Sequence, residues 1–372
     1  FAIKQLQIEN FNGIKRTGIS NIPVDARWIF LTGENGFGKT SVLQAIVANL
    51  YGIKEENKFI ISDENKVNPD KPIKIGIEYI HENRIGTYNI ETEKLVKPSE
   101  LFEHFVAYGP SRLNLLTSSG DYKRALPTYS IFNTDGLLWD VWYKITGSSN
   151  DTEAVIKLFE EFLEPYIQKI TRDDKGGILY HEADTEHPGK EYKPVRFKQL
   201  ASGFRSVIAT VGDLLVRLID RGEDITNLNE IGGLVIIDEI DLHWHPKMQY
   251  LLVKRLSELF PKMQFIVSTH SILPILGAPK DSIFLKVDRN KEDGIFIEKV
   301  ELNPKELSPN IILSSPLFDY PVFPPEDKDK ARFPTDDSFS KWRARKAVEE
   351  ELNSLQKEEK EFFDKLNTLL DE

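Results

Sequence analysis

Apolar residues follow two rhythms along this chain. In the opening FAIKQLQIEN, Ile3, Leu6 and Ile8 keep a strand-like alternation that runs into Asn10-Phe11-Asn12-Gly13, a turn signal, so the start predicts an antiparallel strand pair. The apolar run from Trp28 to Leu31 predicts a further strand that ends at Thr32-Gly33. Val42, Leu43, Ile46, Val47 and Leu50 then recur at helical spacing until Gly52 stops the helix. Further on, Leu234 to Ile237 and Phe265 to Val267 are unbroken apolar runs, as expected of central parallel strands buried on both faces.

The rhythm changes in two places. Between Arg112 and Phe197, Leu137, Leu138, Trp139, Val141 and Trp142 read as a helix, and so do Val155, Ile156, Leu158, Phe159, Phe162 and Leu163. Ile178 to Tyr180 and Val195 to Phe197 flank Pro188-Gly189 as a hairpin. This stretch, 113–196, is expected to be a helical lobe inserted in an α/β core made of 1–112 and 197–300. After residue 300, Pro304, Pro309, Pro316, Pro321, Pro324, Pro325 and Pro334 punctuate an irregular connector. Phe339, Trp342, Val348, Leu352, Leu355, Phe362, Leu366 and Leu369 then mark an amphipathic helix from about Ser338 to Leu370 within 301–372. Its apolar stripe needs a partner, either the core of its own chain or another protein.

Polar residues at the ends of the apolar runs carry the candidate chemistry. GENGFGKT, Gly33 to Thr40, lies between a predicted strand and a predicted helix, which is the context of a phosphate-binding loop. Around Asn35, Gly36 and Gly38 such a loop turns backbone N–H groups toward phosphate oxygens, and the helix N-terminus adds partial positive charge. Lys39 would reach the β- and γ-phosphates of ATP, the Thr40 hydroxyl would coordinate Mg²⁺, and Ser41 would help cap the helix.

The second buried run ends in Asp238-Glu239. Asp238 is expected to hold Mg²⁺, and Glu239 to sit beside the γ-phosphate as general base or water-positioner. The third run ends in Ser268-Thr269-His270-Ser271, where an imidazole can sense the γ-phosphate and orient the attacking water.

Two further segments point to a family. Gln199-Leu200-Ala201-Ser202-Gly203-Phe204-Arg205-Ser206 resembles the signature motif of ABC-type ATPases, and Asp238-Glu239-Ile240-Asp241-Leu242-His243-Trp244-His245-Pro246 resembles the Walker B and D-loop of the RecF, SMC and OLD-like branch. LQIENFNGI is similar to the first strand of that branch, and Val106-Ala107-Tyr108-Gly109-Pro110-Ser111-Arg112 to a region of defence-type ATPases. The resemblance implies an ABC-type nucleotide-binding domain with N-terminal antiparallel β elements, an inserted helical lobe and a C-terminal helical tail, extending over residues 1 to about 300.

It also implies a head-to-tail dimer. Ser202 and Gly203 of one chain would bind the γ-phosphate held by the other, with Asp241 crossing the interface. Most similar are the PtuA-like ATPases of Septu and retron-associated anti-phage systems, which implies an HNH-type nuclease or other effector as partner. A RecF-like repair ATPase acting directly on DNA is the alternative. The sequence departs from the signature pattern at Ala201, Phe204 and Arg205, and offers no Q-loop glutamine. Arg112 fits either a contact to nucleotide or a structural role.

Composition narrows the classes. A formal charge of -11 argues against a protein that coats nucleic acid, which needs a basic footprint, although local contacts to nucleic acid stay open. With zero cysteines there is no disulfide framework and no thiolate site, which fits a reducing cytoplasm. No stretch reaches the roughly 18 apolar residues of a membrane helix. The chain opens on Phe1 rather than Met, as a trimmed chain would, and without the pattern of a secretory signal. His181, Glu182, Asp184, Glu186 and His187 in a polar hairpin are expected to be solvated rather than a metal site, and His243 and His245 are not expected to be ligands. No Toprim or HNH constellation is present in this sequence, so if nucleic acid is cut, a partner is expected to do it.

Overall fold

Each unbroken apolar run becomes a strand whose alternate residues feed two different cores. The computed structural model describes residues 2–51, 63–81, 84–91, 105–116, 119–145, 149–184, 192–244, 246–292 and 294–318. Trp28–Thr32 (β3), Phe105–Tyr108 (β6), Gly233–Ile237 (β11), Met263–Ser268 (β12) and Ile283–Asn290 (β13) form a parallel block in the order β13-β3-β12-β11-β6. Trp28, Phe30, Val235, Ile237, Phe265 and Val267 enter one core, while Ile29, Leu31, Leu234, Ile236 and Ile266 enter the other. Burial on both faces explains why these runs show no polar alternation.

The sheet continues as an antiparallel wing. Ala2–Phe11 (β1), Ile14–Ile19 (β2), Lys74–His81 (β4), Arg84–Glu91 (β5) and Gly294–Val300 (β14) extend it in the order β5-β4-β1-β2-β14, with β14 antiparallel to β13. β1 and β2 meet at Phe11↔Ile14, and the two residues between, Asn12 at φ +43 and Gly13 at φ +86, have the positive φ of a primed hairpin turn. The wing is fastened to the parallel block by Gln264, a wholly buried polar residue inside β12. Its Oε1 accepts the Ile3 N–H at 2.9 Å and its Nε2 donates to the Ala26 carbonyl at 2.9 Å.

Helices cover both faces of the sheet. Lys39–Tyr51 (α1) buries Val42, Leu43, Ile46 and Val47 on one side. On the other lie Ser149–Leu163 (α3), Ser202–Asp220 (α4) and Pro246–Leu259 (α5), through Val155 and Phe159, Val207 and Leu215, and Met248 and Leu252. Two short helices follow, Ile272–Leu276 (α6), whose N-cap Ser271 accepts the Leu273 N–H, and Pro309–Leu313 (α7), which opens on proline. Residues 1–320 belong to one compact unit. The amphipathic helix expected over 338–370 lies outside the described residues.

The inserted stretch differs from expectation in two places. Leu138–Trp139 (β8) is a short strand parallel to Leu115–Leu116 (β7), and only Val141–Lys144 (α2) is helical. The helix cannot start earlier because Asp140 caps it, accepting the Trp142 N–H at 3.0 Å, while the Trp139 N–H is held by Asp213 at 2.7 Å. The hairpin also has another partner. Ile178–Glu182 (β10) pairs along its length with Ile167–Arg172 (β9), and Val195 meets only Tyr180, as a single bridge. Asp173 fixes that turn by accepting the N–H groups of Lys175 and Gly177 at 2.9 and 2.7 Å. Residues 185–191, with Pro188-Gly189, lie outside the described residues.

A buried ion pair joins the insert to the core. The Asp213 carboxylate on α4 is fully buried and accepts from Arg217 Nε at 2.7 Å, the Tyr108 hydroxyl at 2.8 Å and the Trp139 N–H. Arg217 also donates to the Ala125 carbonyl at 2.9 Å. Burial, and after it the negative charge of Asp213, push the Tyr108 phenol well up against the pull of Arg217, so it stays a donor. Asp213→Ala would strand Arg217 without a counter-charge, and is expected to lower stability by about 3–5 kcal/mol in urea unfolding. A loss below about 1 kcal/mol would mean that solvent reaches the pair.

Candidate functional site

The motif residues gather where β3, β12 and β11 end side by side. After β3 the chain enters the glycine loop, with Asn35 and Gly36 exposed at its tip. Gly36 has φ +82 and Gly38 φ +98, and a Cβ on Gly38 would come within 2.4 Å of the Ile295 side chain, so only glycine fits there without displacement. The Val42 N–H closes the first helical bond to the Gly38 carbonyl at 3.0 Å, which places Lys39, Thr40 and half-buried Ser41 in the first turn of α1. Lys39 is 7% exposed, and its ammonium donates to the carbonyls of Gly33 at 2.8 Å and Glu34 at 3.1 Å. Burial lowers its pKa, and the acids Asp238, Glu239 and Asp241 counteract that shift.

Asp238 ties these ends together. Thr40 Oγ1 donates to its Oδ2 at 2.6 Å, Ser268 Oγ donates to its Oδ1, and its own N–H donates to the Tyr108 carbonyl at 2.8 Å. Glu239 follows in a left-handed conformation, φ +50, half-buried, with its N–H donating to Ser268 Oγ at 2.7 Å. Sequence reasoning gave Ser268 no role. Its place as the last residue of a buried strand beside an acid-ended one is the signal that could have found it.

Arg112 takes the structural side of its two readings. It is 2% exposed, and its guanidinium donates to the carbonyls of Gly109 at 3.0 Å, Asp238 at 2.5 Å and Glu239 at 2.7 Å. Burial lowers its pKa to about 10 against the pull of Asp238, Glu239 and Asp241, which leaves it charged at neutral pH.

Asp241 does not project outward from this chain. It is buried, its Oδ1 accepts from Thr269 Oγ1 at 2.5 Å, and its Oδ2 lies 3.2 Å from Nε2 of His270, whose side chain is half exposed just beyond β12. The acid expected to cross an interface is held inside the chain by the two residues that follow Ser268. Ser202 and Gly203, both half-buried, open α4 after the N-cap Ala201, where helical geometry gives their N–H groups no partner in the helix. A Cβ on Gly203 would sit 3.0 Å from the His243 carbonyl, which brings the signature turn against the D-loop of the same chain.

These residues suit a nucleoside triphosphate with a hard cation. Thr40 and Asp238 bring two oxygen donors together, the donor type Mg²⁺ takes, and the glycine turn with Lys39 beside it matches a phosphate chain. No group of three or more metal-binding side chains occurs among the described residues. His181 bonds Thr171 through Nε2 at 2.9 Å, while Glu186, His187 and His245 lie outside the described residues. No helix among the described residues is long and apolar enough to cross a membrane.

Parts of the chain match known families and proteins. Residues 5–126 match a family described as "AAA domain", and residues 152–275 match one described as "AAA domain, putative AbiEii toxin, Type IV TA system". Septu protein PtuA of Bacillus mycoides (strain KBAB4) is 27% identical over 322 residues, covering 80% of this chain and 42% of that protein. The retron Vc95 probable ATPase of Vibrio cholerae serotype O1 biovar El Tor is 42% identical over 139 residues, 37% of this chain and 26% of that protein. The chain therefore spans less than half the length of these relatives. Among solved structures, the SMC head domain from Thermotoga maritima aligns with 81% of this chain and 100% of that one at 15% identity, with a TM-score of 0.48. The chain is related to Septu protein PtuA and to retron probable ATPases, and two of its stretches match AAA-domain families.

The glycine turn gives the first test of the site. Gly38→Ala is expected to weaken ATP binding at least about tenfold, through left-handed strain and the clash with Ile295. Titration with a fluorescent ATP analogue measures it, and unchanged affinity would show that the loop is not the phosphate cradle.

Proposed function

We propose that this chain binds and hydrolyses ATP as one half of a head-to-tail pair, and that the pair controls an effector, an HNH-type nuclease or similar protein, in anti-phage defence. The observation that carries the ATPase reading is the 2.6 Å contact between Thr40 and Asp238, which joins the glycine loop to the acid end of β11. Thr40 and Asp238 would hold Mg²⁺, which when bound shields phosphate charge. Lys39 and the loop N–H groups would hold the β- and γ-phosphates. Glu239 would orient a water and take its proton as the water oxygen bonds to the γ-phosphorus, the β,γ-bridging P–O bond breaks, and ADP departs with the electron pair. His270, half exposed beside Asp241, would steady that water from the β12 side.

The paired arrangement is supported by the two faces of the sheet. α1, which carries Lys39 and Thr40, packs into one core, and α4, which starts at Ser202 and Gly203, packs into the other. The first turn of α4, half-buried in the single chain, would offer its N–H groups to a phosphate held by a second copy. On pairing, Asp241 would exchange its bonds to Thr269 and His270 for contacts across the interface. Similarity to the Septu PtuA protein over 80% of this chain supports the defence role over direct action on DNA.

Two substitutions test the assignment. Lys39→Ala is expected to abolish ATP binding in a titration. Glu239→Gln is expected to keep ATP binding, lower turnover on the order of a thousandfold, and hold an ATP-dependent dimer in size-exclusion chromatography. An unchanged hydrolysis rate in the glutamine variant would remove Glu239 from the reaction.

A further inference from the structure

Glu239 stands in a backbone conformation that residues other than glycine seldom adopt, φ +50 at the tip of β11. The direction of its side chain therefore depends on whatever holds the main chain there. Two grips do so from opposite sides. Ser268 Oγ accepts the Glu239 N–H at 2.7 Å, and Arg112 binds the carbonyls on either side of the Glu239 Cα, Asp238 through Nη1 and Glu239 through Nη2. The same guanidinium bonds the Gly109 carbonyl in its own turn, so its position is fixed before it reaches β11.

The segment that carries Arg112 wraps the acid pair as a unit. The Tyr108 carbonyl accepts the Asp238 N–H at 2.8 Å, and four residues later Arg112 caps the two carbonyls that follow. All the acceptors of Arg112 named here are main-chain carbonyls, which is an unusual use of a buried cation, since burying charge is costly unless its hydrogen bonds shape something. A planar fork can span two successive carbonyls, whereas an ammonium is a point donor.

We infer that Arg112 is a positioning residue for hydrolysis: it locks the main chain at Glu239, and so aims the Glu239 carboxylate, without taking part in ATP binding. The inference rests on the reading of Glu239 as the proton acceptor. Arg112 itself lies beneath the strand tip, beside Ile240, Ser206 and Trp244 in a small apolar cavity, and touches no reacting atom.

Arg112→Lys and Arg112→Gln test it, since neither side chain reproduces the fork. Hydrolysis and binding of a fluorescent ATP analogue are measured together with thermal unfolding for both variants, Lys39→Ala and the native chain. Both variants are expected to lose kcat on the order of a hundredfold while ATP affinity stays within about twofold. Unchanged kcat, or kcat and affinity falling together, would overturn the inference. Variants that are both unfolded would assign Arg112 to stability and overturn it equally. A native chain that binds ATP through Lys39 but does not turn it over would instead remove the hydrolysis reading, and the inference with it.

Discussion

The Asp238 carboxylate is the point on which the rest of the structure depends. It is 1% exposed, so each of its oxygens needs a donor, and the donors come from two different strand ends. Thr40 approaches from the first turn of α1, reached through the glycine loop after β3, and Ser268 from the end of β12, the strand between β3 and β11. Meeting both demands fixes the relative height of three neighbouring strands. Because those strands are apolar on both faces, their side chains give little other reason to end at one level. Satisfying this buried acid draws the phosphate loop, the acid pair and Ser268 together at one end of the sheet.

A second set of bonds stands behind the first. Tyr108 holds the Asp238 N–H with its carbonyl and the Asp213 carboxylate with its hydroxyl, so one residue of β6 touches both the acid strand and the signature helix α4. Gly203 at the start of α4 lies against the His243 carbonyl, which makes a second connection between the signature turn and the segment after the acid pair. The turn proposed to serve a partner's phosphate is thus packed on the segment that follows the acid pair.

The sequence was most legible where chemistry and strand ends coincide. GENGFGKT, Asp238-Glu239 and His270 each follow an unbroken apolar run, and each is found at the end of the strand that run predicts. The insert was harder to read. Leu137 to Trp142 has the composition of a helix, but Asp213, more than seventy positions away, takes the Trp139 N–H and leaves only the turn after Asp140 helical. The partner of β10 was missed because Ile167–Arg172 alternates too weakly to stand out beside Val195 to Phe197, and the side-chain bonds of Asp173 decide the pairing. The hairpins over 74–91 and 283–300 lie beyond the elements that periodicity suggested. Arg112 could not be placed from sequence, since nothing local says whether an arginine after a strand turns outward or under the next strand. Asp241 shows the limit of family resemblance: the motif suggested an outward acid, while Thr269 and His270 hold it inward in the single chain.

The central claim is that the site is divided between two chains, with Lys39 from one and Ser202 from the other. Mixing Lys39→Ala protein with Ser202→Arg protein tests this most directly, because a mixed pair alone restores one complete site. Each variant alone is expected to be inactive, and an equal mixture to recover up to about a quarter of the native hydrolysis rate, since half of the pairs are mixed and each has one intact site. Full activity in the Ser202→Arg protein alone, or no recovery on mixing, would contradict it.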